Sequence, residues 1–213
     1  ALIFIPLMGP FAKLLIKIVP ERENALTRNL DDSLMEMPSV AIDVSFKTMR
    51  DIMLELTKAQ QLLMQSKKVT VDYEKKMLEV EEALHITRKF LDGILVTSKL
   101  DRSKLISVLH TLDHLHRLIK VLREQQKVEA LYLQEKLMQD WQELLTTIED
   151  KLTEDDRLLD ISIILEHTSQ EMAEARRNKR NQYFERSVSN ETQLDLAVSK
   201  VDALLWIDRL IYH

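Results

Sequence analysis

Two pairs of polar residues share a spacing that can bind metal ions. Glu82-x-x-His85 and Asp113-x-x-His116 each place a carboxylate and an imidazole about one helical turn apart. Di-iron helical bundles use Glu-x-x-His twice, with one glutamate from each of two further helices. The four residues could therefore serve a metal store or a metal-dependent enzyme.

The hydrophobic pattern around Asp113 argues against an inward-facing metal site. Apolar residues alternate at four- and three-residue spacing, as in packed bundles: Val108, Leu112, Leu115, Ile119 and Leu122. This seam turns Asp113 outward and puts His116 on the flank. The predicted bundle also has only three helices, so Asp51 or Glu55 would have to supply the ligands that a fourth helix normally provides. We interpret the four residues as surface side chains, and we predict no metal, no cofactor and no catalytic residue.

Two further polar patterns have simple surface interpretations. His110 and His114 are four residues apart, which suits metal chelation, but the seam turns both to solvent and no third ligand is near. A dense basic run reads Arg176-Arg177-Asn178-Lys179-Arg180 and is followed by Tyr183, Phe184 and Arg186. It could contact anionic lipid or single-stranded nucleic acid. We favour a solvated helix end, in which Glu174 pairs with Arg177, over a membrane contact.

The composition predicts an all-α protein. The chain has 213 residues, of which 45% are apolar and 31% charged, with two glycines, four prolines and no cysteine. Every proline precedes residue 39, so the turn residues that a sheet needs are missing. The lack of cysteine excludes thiolate catalysis, and the net charge of −5 argues against a nucleic-acid partner.

Helical periodicity predicts six amphipathic helices. The first spans Ser39–Ser66, the second follows the cap Thr70 to Ser98, the third is capped by Asp101, and the others span Val128–Leu152, Glu154–Val188 and Glu191–His213. Inward positions are Val40, Val44, Met49, Ile52, Met53, Leu56 and Leu63 in the first helix, and Tyr73, Met77, Val80, Leu84, Leu91 and Ile94 in the second. The nine methionines fit the core pattern.

The six helices form two triplets that suggest an internal duplication. A shift of 92 residues aligns residues 49–53 with 141–145 and residues 115–119 with 207–211, although the middle helices do not align. We therefore predict tandem three-helix up-down bundles, with the first at 39–126 and the second at 127–213. The apolar stripe persists at His213, so we expect the last helix to continue beyond it.

Two segments of different composition precede the bundles. Residues 1–19 are mostly apolar but too short to span a bilayer alone, so we expect the end of a membrane segment or an amphipathic interfacial helix. A helix docked on the bundle is the alternative. Residues 20–38 are polar and bounded by prolines, and we call them the connector.

The tandem bundles, with Arg-Leu-Ile near the end of each third helix, resemble the PhoU-like fold. The connector motifs Val19-Pro20-Glu21-Arg22-Glu23-Asn24, Asn29-Leu30-Asp31-Asp32-Ser33-Leu34 and Pro38-Ser39-Val40-Ala41 resemble the junction between membrane and PhoU-like domains in bacterial sodium/phosphate cotransporters. The ending 206–213 is similar to the close of that domain. The resemblance covers nearly the whole chain and is most specific at the junction.

This resemblance implies a regulatory or structural, non-catalytic domain of a sodium-dependent phosphate cotransporter. It would lie on the cytoplasmic side of the bacterial inner membrane, with the parent membrane domain as partner and its N-terminus near the membrane surface. A free-standing PhoU-type adaptor that binds a transporter or sensor is the alternative. Exposed apolar residues of the first helix would favour a homodimer.

The resemblance also identifies positions where PhoU proteins often bind metal. The matching stretches are His116-Arg117-Leu118-Ile119-Lys120 and Asp208-Arg209-Leu210-Ile211-Tyr212. Lys120 and Tyr212 replace the second acid of each stretch, and a lysine repels a cation. We therefore expect the metal clusters of that family to be absent.

Overall fold

The computed structural model describes residues 24–124, 135–154, 158–189 and 193–213, and these residues form six α-helices and no strand. The helices are α1 Pro38–Ser66, α2 Val71–Asp92, α3 Lys99–Leu122, α4 Glu135–Thr153, α5 Leu158–Val188 and α6 Leu194–Tyr212, and a short 3-10 helix spans Asp32–Glu36. The predicted all-α helical bundle is confirmed. The N-terminal helix predicted at 1–19, the division between bundles at 126/127 and the proposed helix starts at Val128 and Glu191 lie outside the described residues.

Proline and a left-handed residue set the ends of α1. Pro38 occupies the first turn, where its missing N–H is not needed. The helix ends at Ser66, as predicted, because Lys67 adopts φ 56° and donates its N–H to the carbonyl of Leu63 at 3.1 Å. A lysine in this left-handed conformation is strained relative to glycine.

Three predicted helix boundaries are wrong. The second helix ends at Asp92 rather than Ser98, since the poor helix former Gly93 follows, although Ile94 remains buried. The third helix is capped by Ser98 rather than Asp101: Ser98 Oγ accepts from the Asp101 N–H at 3.0 Å and donates to its carboxylate at 2.7 Å. The fifth does not begin at Glu154, which lies in a bend, and the structure describes it from Leu158.

The described helices pack around one continuous core. α1 packs on α2, α3 and α4, while α6 packs on α5 and α3, and α4 also contacts α5. Every predicted inward residue of α2 and every residue of the seam on α3 is buried. On α1 the prediction for Val40 is wrong, because this residue lies in the exposed first turn, and Val44 and Met53 are only half-buried.

The described contacts agree with the internal duplication in one respect and differ from it in another. The helices that the 92-residue shift equates pack against each other, α1 on α4 and α3 on α6. Aligned residues also share their environment, since Met49 and Trp141 are both buried, as are Leu115 and Ile207. Among the described residues, however, α1 packs on both α2 and α3, whereas its counterpart α4 contacts α5 without comparable packing on α6, so the duplication stays a prediction.

Candidate functional site

The two carboxylate-x-x-histidine pairs do not form a cluster. Glu82 and His85 are exposed on α2, and Asp113 is exposed on α3, where its carboxylate accepts a hydrogen bond from Arg117 Nε at 2.9 Å. His116 is half-buried. In the ranges that the structure describes, no group of three or more histidine and acidic side chains is placed to hold a metal ion.

The two histidines that lie four residues apart on α3 have different surroundings. His110 and His114 are both exposed, but the ring of His114 lies 5.8 Å from the ring of His213 and 6.4 Å from that of Tyr212. Burial lowers the pKa of His213, and the nearby His114 and Arg117 lower it further. His114 and His213 thus belong to an aromatic contact between α3 and the end of α6.

The acid that the family resemblance places in the second repeat is held by an arginine. The Asp208 carboxylate is only 17% exposed and accepts a hydrogen bond from the guanidinium of Arg176 on α5. A permanently charged arginine therefore occupies the position where a cation would approach this acid. The pair predicted between Glu174 and Arg177 is not among the ion pairs of the described residues, and Arg176 is the arginine that meets α6.

The end of α3 joins helices from both triplets, and we call residues 121–124 the α3 terminus. Trp206 Nε1 donates to the carbonyl of Val121 at 2.8 Å, and the Tyr73 hydroxyl donates to the carbonyl of Leu122 at 3.1 Å. Both aromatic side chains are fully buried. Carbonyls at a helix end lack partners within the helix, so these two donors stabilise the terminus from α6 and α2.

Ion pairs surround the same terminus. Arg123 bonds Glu81 at 2.8 Å and also Glu74, and these hydrogen bonds, led by that to Glu81, raise its pKa. Arg209 of α6 makes two hydrogen bonds with Glu124, of which one is 2.8 Å long. Paired fork geometry of this kind fixes the orientation of α6 relative to α3.

The described part of the connector, residues 24–37, lies along α2. Asn24 Nδ2 donates to the carbonyl of Glu79 at 2.7 Å and to the Glu82 carboxylate at 3.3 Å. Thr27 is buried, and four apolar side chains pack on the core: Leu26, Leu30, Leu34 and Met35. At the other end Met35 reaches Gly93, where a Cβ would lie 2.7 Å from its sulfur. The connector is therefore fixed to the first triplet along its described length.

An open groove of about 440 Å³ lies between the connector, α1 and α2. Glu55 in this groove accepts hydrogen bonds from Lys58 at 2.9 Å and from Lys76. Burial raises the pKa of Glu55, but the two lysines outweigh burial and leave the pKa below its ordinary value. Glu55 is thus occupied by lysines within the chain rather than shared with the half-buried Asp51.

Sequence reasoning missed the docked connector and the aromatic donors at the α3 terminus. The four-residue spacing of Leu26, Leu30 and Leu34 was a usable signal for a packed segment. Nothing in the sequence pairs Tyr73 with Leu122 or Trp206 with Val121, because these contacts join residues 49 and 85 positions apart.

Comparison with known proteins does not extend the assignment beyond the fold class. No protein-family model, curated protein or solved structure matches the chain. None of the described helices combines the length and the apolar character required to cross a membrane. The class that the fold defines is an all-α helical bundle protein.

Proposed function

We propose that this chain is the PhoU-like, non-catalytic regulatory domain of a sodium-dependent phosphate cotransporter in a bacterial inner membrane. The domain acts on the cytoplasmic side, and its partner is the membrane domain that precedes the connector. The all-α helical bundle, the repeat suggested by the sequence and the junction motifs support this proposal. Three of the candidate acids, Glu55, Glu82 and Asp208, are engaged by a lysine, an amide and an arginine of the chain itself.

The docked connector is the observation that carries the proposal. A domain that senses or adjusts a preceding membrane segment needs a stiff link, since a flexible linker transmits no displacement. Residues 24–37 are stiffened by the Asn24 hydrogen bonds and by apolar packing on α1 and α2. A change in the bundle would therefore move the start of the connector.

Cell fractionation tests whether the chain is part of a transporter. An antibody against residues 39–213 should detect a band well above 25 kDa, the mass of this chain, that stays in the membrane pellet after alkaline washing. A band near 25 kDa in the supernatant would overturn the proposal in favour of the free-standing adaptor.

Phosphate uptake tests whether the docked connector matters. In the full transporter, Leu30→Ser with Leu34→Ser should change sodium-dependent phosphate uptake severalfold, because both side chains pack on the core. The matched control is Asn29→Ala, an exposed connector position. Uptake equal to wild type in the double variant, at equal membrane abundance, would contradict a regulatory link through the connector.

A further inference from the structure

Helix α5 divides its charges between its two halves. Residues 158–175 contain four acidic residues and no lysine or arginine, whereas residues 176–189 contain five basic residues and one glutamate. The helix dipole favours cations only in the last turn, so it accounts for Arg186 but not for Arg177 or Arg180, which lie two to three turns earlier. The basic half of α5 therefore needs another explanation.

This basic half begins beside the α3 terminus, where Arg176 bonds Asp208, and continues along a hairpin that projects beyond α3. α6 runs antiparallel to α3, because Trp206 bonds Val121 while the His213 ring contacts that of His114. At 1.5 Å per residue, the start of α6 at Leu194 lies about 18 Å past the end of α3. Ala197 and Val201 are buried yet lie outside the core cluster, while Tyr183 of α5 still packs on the edge of that cluster.

The hairpin carries cations beside the α3 terminus and aliphatic groups at its projecting end. Arg177, Arg180, Phe184 and Val188 recur at three- and four-residue spacing, which places them on one face of α5. Both arginines are exposed, and neither forms an ion pair with a described residue. Val188 is 84% exposed, and Leu194 at the start of α6 is 61% exposed. We call these five residues the hairpin stripe.

The hairpin and the connector point to the same end of the molecule. The connector runs from Met35 at Gly93 to Asn24 at Glu79, which is toward the N-terminus of α2. The bond from Tyr73 to the carbonyl of Leu122 puts that end of α2 beside the end of α3, and the hairpin projects past it. The stripe thus lies on the side from which the chain enters the bundle.

We propose that the hairpin stripe binds the surface of a bilayer that contains anionic phospholipid. Arginines attract the headgroups, and the aliphatic side chains of Val188 and Leu194 enter the boundary between headgroups and acyl chains. Single-stranded nucleic acid would need exposed aromatic faces for base stacking. Tyr183 and Phe184 are half-buried instead, with Lys200 5.5 Å and Arg180 5.9 Å from their ring centres. This surface does not depend on the transporter proposal.

Vesicle co-sedimentation of the full chain tests the charge contribution. Each arginine near an anionic surface strengthens binding about fivefold, so Arg177→Gln with Arg180→Gln should weaken partition into phosphatidylglycerol vesicles roughly 25-fold. The matched control is Arg88→Gln with Arg102→Gln, which removes two exposed charges at the opposite end of the bundle and should change partition less than threefold. Circular dichroism checks that each variant keeps its helices.

Three outcomes would overturn the proposal. The stripe variant could bind anionic vesicles as well as wild type does, or the control could weaken binding equally, which would indicate general electrostatics. A single-stranded oligonucleotide could bind instead of vesicles and be lost with the stripe variant, which would indicate nucleic acid. Because residues 1–19 are present in every variant, only differences between variants are interpreted.

A fluorescence variant tests the aliphatic contribution. Leu194→Trp adds an exposed indole, whereas the native Trp141 and Trp206 are buried. On anionic vesicles its emission should shift to the blue and be quenched by brominated acyl chains. An unchanged spectrum on vesicles that have bound the protein would refute contact by the hairpin end. The experiment uses the isolated chain, so its failure would leave the transporter proposal standing.

Discussion

Removing the Tyr73 hydroxyl should destabilise the protein at neutral pH. The hydroxyl is the donor that reaches the carbonyl of Leu122 in a fully buried site. A hydrogen bond of this kind contributes about 1 kcal/mol, and a buried carbonyl that loses its donor costs about 1–3 kcal/mol. Because Tyr73→Phe keeps the ring and its packing, we expect the free energy of unfolding to fall by about 1.5 kcal/mol.

The loss of unfolding free energy caused by Tyr73→Phe should become smaller at alkaline pH. Burial raises the pKa of Tyr73, and Glu74 and Glu81 add to this effect while Arg123 opposes it. Because the pKa of this tyrosine is higher in the folded protein than in the unfolded chain, where it is about 10, its contribution to stability is fully present below pH 10. This contribution is lost as the pH rises toward the pKa of the folded protein. Above pH 10 wild type loses about 1.4 kcal/mol per pH unit relative to the phenylalanine variant. The two proteins should therefore be about equally stable near pH 11.

Urea unfolding followed by circular dichroism at neutral and alkaline pH measures both effects. Tyr212→Phe is the control, since this tyrosine is exposed and makes ring contacts without a described hydrogen bond. The control should differ from wild type by less than about 0.5 kcal/mol at either pH. The reasoning is refuted if Tyr73→Phe matches wild type at neutral pH. It is equally refuted if the difference is unchanged near pH 11.

Three further substitutions probe other contacts. Trp206→Phe removes an indole N–H donor and leaves a small cavity, so unfolding free energy should fall by about 2–3 kcal/mol in the same urea assay. Lys67→Gly relieves a left-handed lysine and should stabilise the protein by about 0.5–1 kcal/mol, whereas Lys68→Gly should not; equal effects would contradict this. Asn24→Ala removes the bond to the Glu79 carbonyl, so amides of residues 26–36 should exchange faster by hydrogen-exchange mass spectrometry while those of α6 do not.

The sequence predicts local features that periodicity and composition control. The all-α class follows from the missing turn residues, and the seam on α3 follows from spacing alone. Helix ends are harder, because neighbouring polar residues compete for one cap. Both Ser98 and Asp101 can cap, and the structure uses the former as acceptor and the latter as its partner. Val40 fits the apolar pattern but lies in a first turn that is exposed.

Contacts between distant residues were not predictable from pattern. The pairing of Glu174 with Arg177 follows from helical spacing, yet Arg176 is the residue that turns toward α6 and meets Asp208. Which arginine faces inward depends on where α6 packs, and helical spacing within α5 does not determine that. The metal interpretation depends on contacts of both kinds, because Asp113 pairs with Arg117 four residues along α3, whereas Glu82 meets Asn24 from 58 positions away.

Polar contacts link the connector to α5 through the α3 terminus. Asn24 binds the carbonyl of Glu79 on α2, and Glu81 of the same helix binds Arg123 at the α3 terminus. The next residue, Glu124, binds Arg209 on α6, and Asp208 beside it binds Arg176 on α5. Most of the ion pairs are partly exposed, and such pairs contribute little to stability. They can exchange partners without unfolding the apolar core, which resists small displacements because it is closely packed. On the proposed function, a link of this kind would let the bundle change the position of the connector at low cost in free energy.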